Sequence, residues 1–189
     1  MTAPLEQPLV SVIIPAYNTQ TYIAESINSV LGQTYKNLEV IVVDDGSTDS
    51  TADIAKALAG QDARVKVVCQ PNSGQGSARN TGLRLSAGEI IFFLDSDDYF
   101  SSEIVAQAVE AMLRQGCDVV VFNGTSFFDD DGVLEPKNDR YFALEEQDAK
   151  AAVTGLQILA RTGGRFAQPC MKAYRKAFLD ANGILFPEG

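Results

Sequence analysis

Histidine is absent from all 189 residues. That single gap removes Ser-His-Asp hydrolases, His-ligated zinc and histidine general bases together. Cysteine is scarce: Cys69, Cys117 and Cys170 form an odd set with no C-x-x-C spacing. A disulfide framework or a Cys-rich zinc site needs more thiols, closer together, so each reads as a small core residue in a reducing compartment. No Lys or Arg precedes Lys36, so a basic leader region is not expected. The longest apolar runs, such as Ile90 to Leu94, fall far short of the ~20 residues a membrane helix needs. Basic charge is also short. Fifteen Lys and Arg stand against 25 Asp and Glu, a net charge of −10. Nucleic-acid binders and polybasic membrane anchors usually show a basic face, so both partners are disfavoured. The chain is expected to be soluble and cytoplasmic, with the inner face of the membrane as a place of work for a longer form of it.

What is present is ordinary globular material. Apolar residues make up 46% and charged residues 21%, enough for one domain, or one domain and part of a second. Leu9 to Ile14 predicts a strand that ends at Pro15. Ile23, Ile27, Val30 and Leu31 follow at helical spacing, up to Gly32. Leu38 to Val43, Val65 to Val68, Ile90 to Leu94 and Val119 to Phe122 predict four more strands. Between them lie helices starting with a Ser50-Thr51-Ala52-Asp53 capping box, then spanning about Ser77 to Ser86, then Ile104 to Gly116. Such alternation predicts an α/β fold: a mostly parallel sheet covered by helices on both faces. After Asn123 the pattern changes, with a turn at Asp129-Asp130-Asp131-Gly132, a polar stretch at Asp139-Arg140, a helix from about Glu145 to Arg161 and a Gly163-Gly164 pair. We therefore expect one unit over 1–124 and a second over 125–189.

Ligands of open parallel sheets bind outside the carboxyl ends of the strands. Four successive strand ends carry polar clusters: Pro15-Ala16-Tyr17-Asn18, Asp44 to Asp49, Pro71 to Asn80, and Asp95-Ser96-Asp97-Asp98. One cluster alone would read as loop composition. Four in phase point to a site. Asp95, Asp97 and Asp98 crowd negative charge at the mouth of a buried strand, which a divalent cation such as Mg²⁺ would relieve. The plain alternative is capping by Asp97 or Asp98 of a helix near Ser102. Asp44 and Asp45 could accept hydrogen bonds from ribose hydroxyls or a base N–H; the alternative is an Asx turn, with Asp49 or Ser50 the better cap. Gly74-Gln75-Gly76 starts a dinucleotide fingerprint, but Arg79 stands where the third glycine belongs. Arg79 reads as a cation aimed at a nucleotide or as half of a surface ion pair. The phosphate-loop pattern ending in Gly-Lys-Ser/Thr is absent. Lys172, Arg175 and Lys176 form a basic cluster that suits a diphosphate, an anionic acceptor or a solvated helix start.

Val10 through Asn18, Glu39 through Thr51, Asn72 through Leu83 and Gly88 through Asp98 stand in an order and spacing that resembles the family 2 glycosyltransferases of the GT-A fold. The resemblance covers about residues 9 to 115, and a later stretch, Cys170 to Gly189, is similar to bacterial members. It implies an inverting transfer of sugar from a nucleotide-diphosphate donor, a UDP-sugar foremost, to a saccharide or lipid-linked acceptor hydroxyl, in cell-surface polysaccharide or glycolipid synthesis. By the same resemblance Pro15, Ala16, Tyr17 and Asn18 would border the base, Asp45 would bond it and Asp44 would support Asp45. Asn72 and Arg79 would complete the nucleotide pocket. Asp95-Ser96-Asp97 would be the D-x-D motif, with Asp97 the main ligand of Mg²⁺ or Mn²⁺ and Asp95 nearer the ribose. The family's base belongs to an acidic pair expected beyond Gly189, with Glu188 the substitute at hand, so this chain is expected to bind donor and metal yet transfer poorly. A sugar-nucleotide nucleotidyltransferase and a non-catalytic nucleotide-binding module are the alternatives. The first would carry a Gly-rich basic loop where Pro15-Ala16-Tyr17-Asn18 stands.

Overall fold

A computed structural model describes residues 7–124, 127–130, 133–136 and 168–188. The helix expected over 145–161, the Gly163-Gly164 pair and the polar stretch at Asp139-Arg140 lie outside the described residues. In chain order the described elements begin β1 (Val10–Ala16), α1 (Ile23–Leu31), β2 (Leu38–Asp44), α2 (Thr51–Ala59), β3 (Val65–Cys69) and α3 (Gln75–Leu85). They continue with β4 (Ile90–Phe93), α4 (Ile104–Gln115), β5 (Val119–Val121), β6 (Phe127–Asp130) and β7 (Val133–Pro136). A 3₁₀ turn, Pro169–Met171, leads into β8 (Lys172–Arg175) and α5 (Lys176–Ala181).

Six strands form one sheet in the order β3-β2-β1-β4-β8-β5. β1 pairs in parallel with both β2 and β4, and β2 with β3, as the strand–helix alternation predicts. One strand departs from the expected plan. Lys172–Arg175, placed by the sequence beyond the 124/125 boundary, inserts between β4 and β5 and runs antiparallel to both. β6 and β7 pair separately, with Asp130 opposite Val133; residues 131 and 132 of the expected turn lie outside the described residues.

β1 and β2 are buried at every position, as strands covered on both faces should be. Successive side chains of β1 serve opposite layers. Val10, Val12 and Ile14 meet Ile23, Ile27 and Val30 of α1 and Val105, Val109 and Met112 of α4. Ile13 meets Leu83 of α3 and Leu179 of α5. No N-cap residue of α1 to α4 makes a side-chain cap bond. A cap contributes about 1 kcal/mol, whereas each fully buried aliphatic side chain contributes roughly 1.5–3 kcal/mol, so packing decides where these helices lie. The capping box expected at Ser50 does not form. Asp49 takes that role, accepting the Thr51 backbone N–H at 2.9 Å.

α3 lies close enough to the sheet that a Cβ on Gly82 would collide with Ile13. At the amino end of the sheet, buried Glu39 accepts bonds from Ser11 Oγ at 2.6 Å, Lys66 Nζ at 2.7 Å and the Ala87 N–H at 2.8 Å. This hub ties β1, β2 and β3 to the α3–β4 turn and leaves the carboxyl ends free for other work.

Candidate functional site

The loops after β1, β2, β3 and β4 meet along one rim, and each is tied to the next. Asn18, held at a positive φ of 52°, donates its N–H to Ser47 Oγ at 3.0 Å and accepts the Thr48 N–H at 2.8 Å. Asp45 donates its own N–H to the Ala16 carbonyl. Pro15 and Ala16 are buried inside β1, while Tyr17 stands 47% exposed above the rim. Gly46, at φ +75°, lets the second loop approach the third; a Cβ there would lie 2.8 Å from the Asn72 backbone nitrogen.

Asp44 and Asp45 are both buried, with different partners. Asp45 accepts from Gln70 Nε2 at 2.8 Å, the Ser73 N–H at 2.9 Å and the Gly74 N–H at 2.8 Å. It therefore organises the entry to α3 from the end of β2, a role the spacing alone could not reveal. Asp44 Oδ2 accepts a long bond from the Ser47 N–H at 3.3 Å, and Asp44 Oδ1 is buried without a hydrogen-bond partner among the described residues.

The fourth loop carries the acid. Arg79, nine-tenths buried on α3, donates from Nη2 to Asp95 Oδ1 at 2.7 Å. Gln75 Nε2 reaches the same oxygen at 3.2 Å. Of the two readings left open for Arg79, the ion pair forms, and it forms inside the rim. Its Nε is buried without a partner among the described residues. Ser96 is buried, and Asp97 and Asp98 are exposed. Neither caps α4. Its Val105 N–H is taken instead by Gln33 Oε1, while Gln33 Nε2 holds the Ser101 carbonyl at 2.8 Å. Fully buried Gln33 thus anchors the far end of the acidic loop to α1.

A carboxylate oxygen of Asp95, one of Asp98 and the Cys170 sulfur lie within 4.8 Å of one another. Asp98 is exposed as a residue, but its carboxyl lies beside Asp95 and Cys170; loss of water there, then the charges of Asp95 and Asp97, push it up to about 6. Burial, with Asp95 and Asp98 adding to it, pushes the Cys170 thiol up to about 12, so it is protonated and a poor nucleophile at neutral pH. Two converging carboxylates suit a hard divalent cation; a protonated thiol beside them adds little to such a set. Cys170 comes from the 3₁₀ turn before β8, and only the insertion of that strand brings it here.

The basic cluster has other partners. Arg175 donates to the Cys117 and Met112 carbonyls at the end of α4, and Lys176 to the Leu83 carbonyl near the end of α3. Lys172 bonds the Gln168 carbonyl at 2.7 Å. The first two tie helix carboxyl ends, where exposed carbonyls favour cations. Glu188 Oε1 accepts from Asn80 Nδ2 at 3.0 Å. Among the described residues no helix is long and apolar enough to cross a membrane.

A family model described as glycosyl transferase family 2 matches residues 11–183. The chain is 41% identical over 186 residues to EpsH of Bacillus subtilis (strain 168), a provisionally named glycosyltransferase, covering 97% of this chain and 52% of the relative. It is 34% identical over 190 residues to the glycosyltransferase GlyG of Streptococcus pneumoniae serotype 4, covering 96% of this chain and 60% of the relative. Among solved structures, residues 1–349 of S. aureus TarS in complex with UDP-GlcNAc superpose with a TM-score of 0.75 at 33% identity, covering 95% of this chain and 48% of that one. The chain spans about half the length of the relatives it matches.

Proposed function

The chain belongs to glycosyl transferase family 2, and from that premise we propose that its rim binds a nucleotide-diphosphate sugar together with a divalent cation for transfer to an acceptor hydroxyl. The observation that carries this reading is the convergence of Asp95 and Asp98 beside the Arg79 ion pair, one loop away from the Asp45 cradle. UDP-GlcNAc bound to TarS, 33% identical, supports a UDP-sugar as donor. Polysaccharide or glycolipid synthesis is the setting that the resemblance implies.

In this reading Tyr17 covers the base, Asp45 accepts a base N–H, and Asn72 closes the pocket's edge. Asp45 is pre-organised for that role, because two backbone N–H groups and Gln70 fix its carboxylate before any ligand arrives. The buried, partnerless Asp44 Oδ1 and Arg79 Nε fit a polar ligand that supplies a donor to one and an acceptor to the other. Mg²⁺ or Mn²⁺ would be held by Asp97 and Asp95, with Asp98 gathered beside Asp95. When bound, the cation would offset charge on the diphosphate leaving group. The chain's residues would then orient the donor so that an acceptor oxygen attacks the anomeric carbon opposite the diphosphate, with inversion.

A panel of sugar nucleotides, incubated with the protein, Mn²⁺ and candidate acceptors, tests the reading. Release of nucleoside diphosphate supports sugar transfer. Release of pyrophosphate would mean nucleotidyl transfer, and donor binding without release, in this chain and in a longer form of it alike, a non-catalytic module.

A further inference from the structure

Phe186 lies 106 residues beyond Asn80, in the segment that follows α5, yet it packs against the entry to the acidic loop. Its ring meets Phe93, the last residue of β4, edge-on at 4.9 Å between centroids. The same ring carries the Arg79 guanidinium, whose central carbon sits 5.3 Å from the ring centroid. Arg79 in turn holds Asp95 Oδ1 at 2.7 Å. A buried cation must be paired or otherwise compensated. Here the compensation is divided between one carboxylate oxygen and one aromatic ring.

Phe186 is itself fixed by residues adjoining the pair that it touches. Asn80, next to Arg79, donates from Nδ2 to the Phe186 carbonyl at 3.0 Å and accepts the Phe186 N–H at 2.9 Å. Gly76, one turn earlier on α3, leaves no room for a side chain, because a Cβ would collide with the Pro187 carbonyl. The segment therefore crosses α3 at one defined place. Both donors to Asp95, from Arg79 and Gln75, fall on Oδ1.

We propose that Phe186 is a positioning residue: its ring holds Arg79 against Asp95 Oδ1 and so turns the other carboxylate oxygen toward the cation of the donor site. The proposal deepens the donor-site reading and rests on it for the cation. The contact between ring and guanidinium stands on geometry alone. Phe186 acts on the donor through Arg79, without touching donor or acceptor itself.

Two readouts test it on Phe186→Leu, Phe186→Tyr and, as a packing control, Phe178→Leu, which loosens the same apolar cluster. The first is nitrogen-edited NMR of the Arg79 side chain without ligand, assigned by its loss in Arg79→Lys. A guanidinium that is stacked and ion-paired rotates slowly, giving separate terminal N–H signals. These should coalesce in Phe186→Leu and stay resolved in Phe186→Tyr and Phe178→Leu. The second is Mn²⁺ affinity with UDP as the probe. It should fall about threefold to thirtyfold in Phe186→Leu, the range a cation–π contact carries, and hold in the other two. Resolved Arg79 signals in Phe186→Leu overturn the proposal. So does coalescence with unchanged Mn²⁺ affinity, or an equal effect in Phe178→Leu. If the parent takes up no Mn²⁺ with UDP while the Arg79 signals coalesce in Phe186→Leu alone, the ring's hold on Arg79 stands and the donor-site reading falls.

Discussion

Asp45 accepts the backbone N–H of Gly74 at 2.8 Å, so the carboxylate that closes β2 also sets where α3 begins. Gly74 sits at φ +88° directly before that helix, and Ser73 points its N–H at the other Asp45 oxygen. One buried carboxylate thereby serves two purposes. It stabilises the third loop through charge-assisted bonds, and it waits at the rim with acceptor capacity to spare.

Asp45→Asn should therefore weaken UDP binding and the fold together. Replacing a charge-assisted acceptor costs about 1.5–3 kcal/mol, roughly tenfold to hundredfold in affinity. The amide can still accept one loop bond, so the chain remains folded with a lowered Tm. Calorimetric titration with UDP beside a thermal melt measures both effects. Parent-like UDP affinity in a folded Asp45→Asn protein would remove Asp45 from base recognition.

On the donor-site reading, the acidic loop would separate metal holding from fold stability. Asp97 is exposed and makes no hydrogen bond or ion pair among the described residues. Asp97→Ala should leave the melt without ligand unchanged while abolishing the extra stabilisation by UDP with Mn²⁺. Asp98 has the opposite character. Its folded pKa, raised to about 6 by desolvation and by Asp95 and Asp97, makes ionisation unfavourable in the folded chain. Its contribution to stability is present below the ordinary carboxylate range and lost as pH rises through about 6. Melts of the parent between about pH 4 and 7 should show that loss, and Asp98→Asn should flatten it. A pH-independent difference between the two proteins would contradict the assignment.

Glu39 works with the reverse sign. Burial acts to raise its pKa, but the bonds from Lys66, Ser11 and Ala87 outweigh burial and lower it. Its stabilisation is full above the pKa of an unfolded glutamate, about 4.3, and is lost as pH falls through the depressed folded value. Glu39→Gln should lower stability at neutral pH by about 1–3 kcal/mol, with the deficit shrinking in acid. Donor affinity should not change, because Glu39 lies at the amino end of β2, remote from the rim. Urea unfolding at about pH 7 and about pH 3.5 checks the first claim.

The parallel part of the sheet and the four rim loops were legible because each strand is a mainly apolar run, interrupted only by residues such as Ser11, Glu39 and Lys66, and each loop a polar burst in phase with it. β8 was not legible. Lys172-Ala173-Tyr174-Arg175 is four residues long, with Ala173 its only fully buried member, and its partners in β4 and β5 lie far back in the chain. No local pattern can announce such a pairing. Cys170 and Phe186 were missed at the rim for the same reason, since Cys170 arrives there through that strand and Phe186 through the strand and the helix after it. The roles of Arg175 and Lys176 were hidden differently. Their charge suggested a phosphate, but the carbonyls that they bind become available only after α4 and α3 end beside them.

Two left-handed glycines offer a controlled test of how tightly the rim loops are joined. Gly116 follows α4 at φ +61°, and a Cβ added there would meet nothing within 4 Å, so Gly116→Ala should cost only the conformational strain, about 1–2 kcal/mol. Gly46 has a similar φ of +75°, but its Cβ would press on the Asn72 backbone at 2.8 Å and the Gln70 carbonyl at 3.3 Å. Gly46→Ala should cost the same strain plus the displacement of the third loop. That loop carries Asn72 and leads to Ser73 and Gly74, whose N–H groups hold Asp45. The substitution should therefore reduce UDP affinity as well as Tm, whereas Gly116→Ala should reduce Tm alone. Equal Tm losses with UDP binding intact in both variants would show that the second and third loops are not coupled through this approach, and that the Asp45 cradle forms without it.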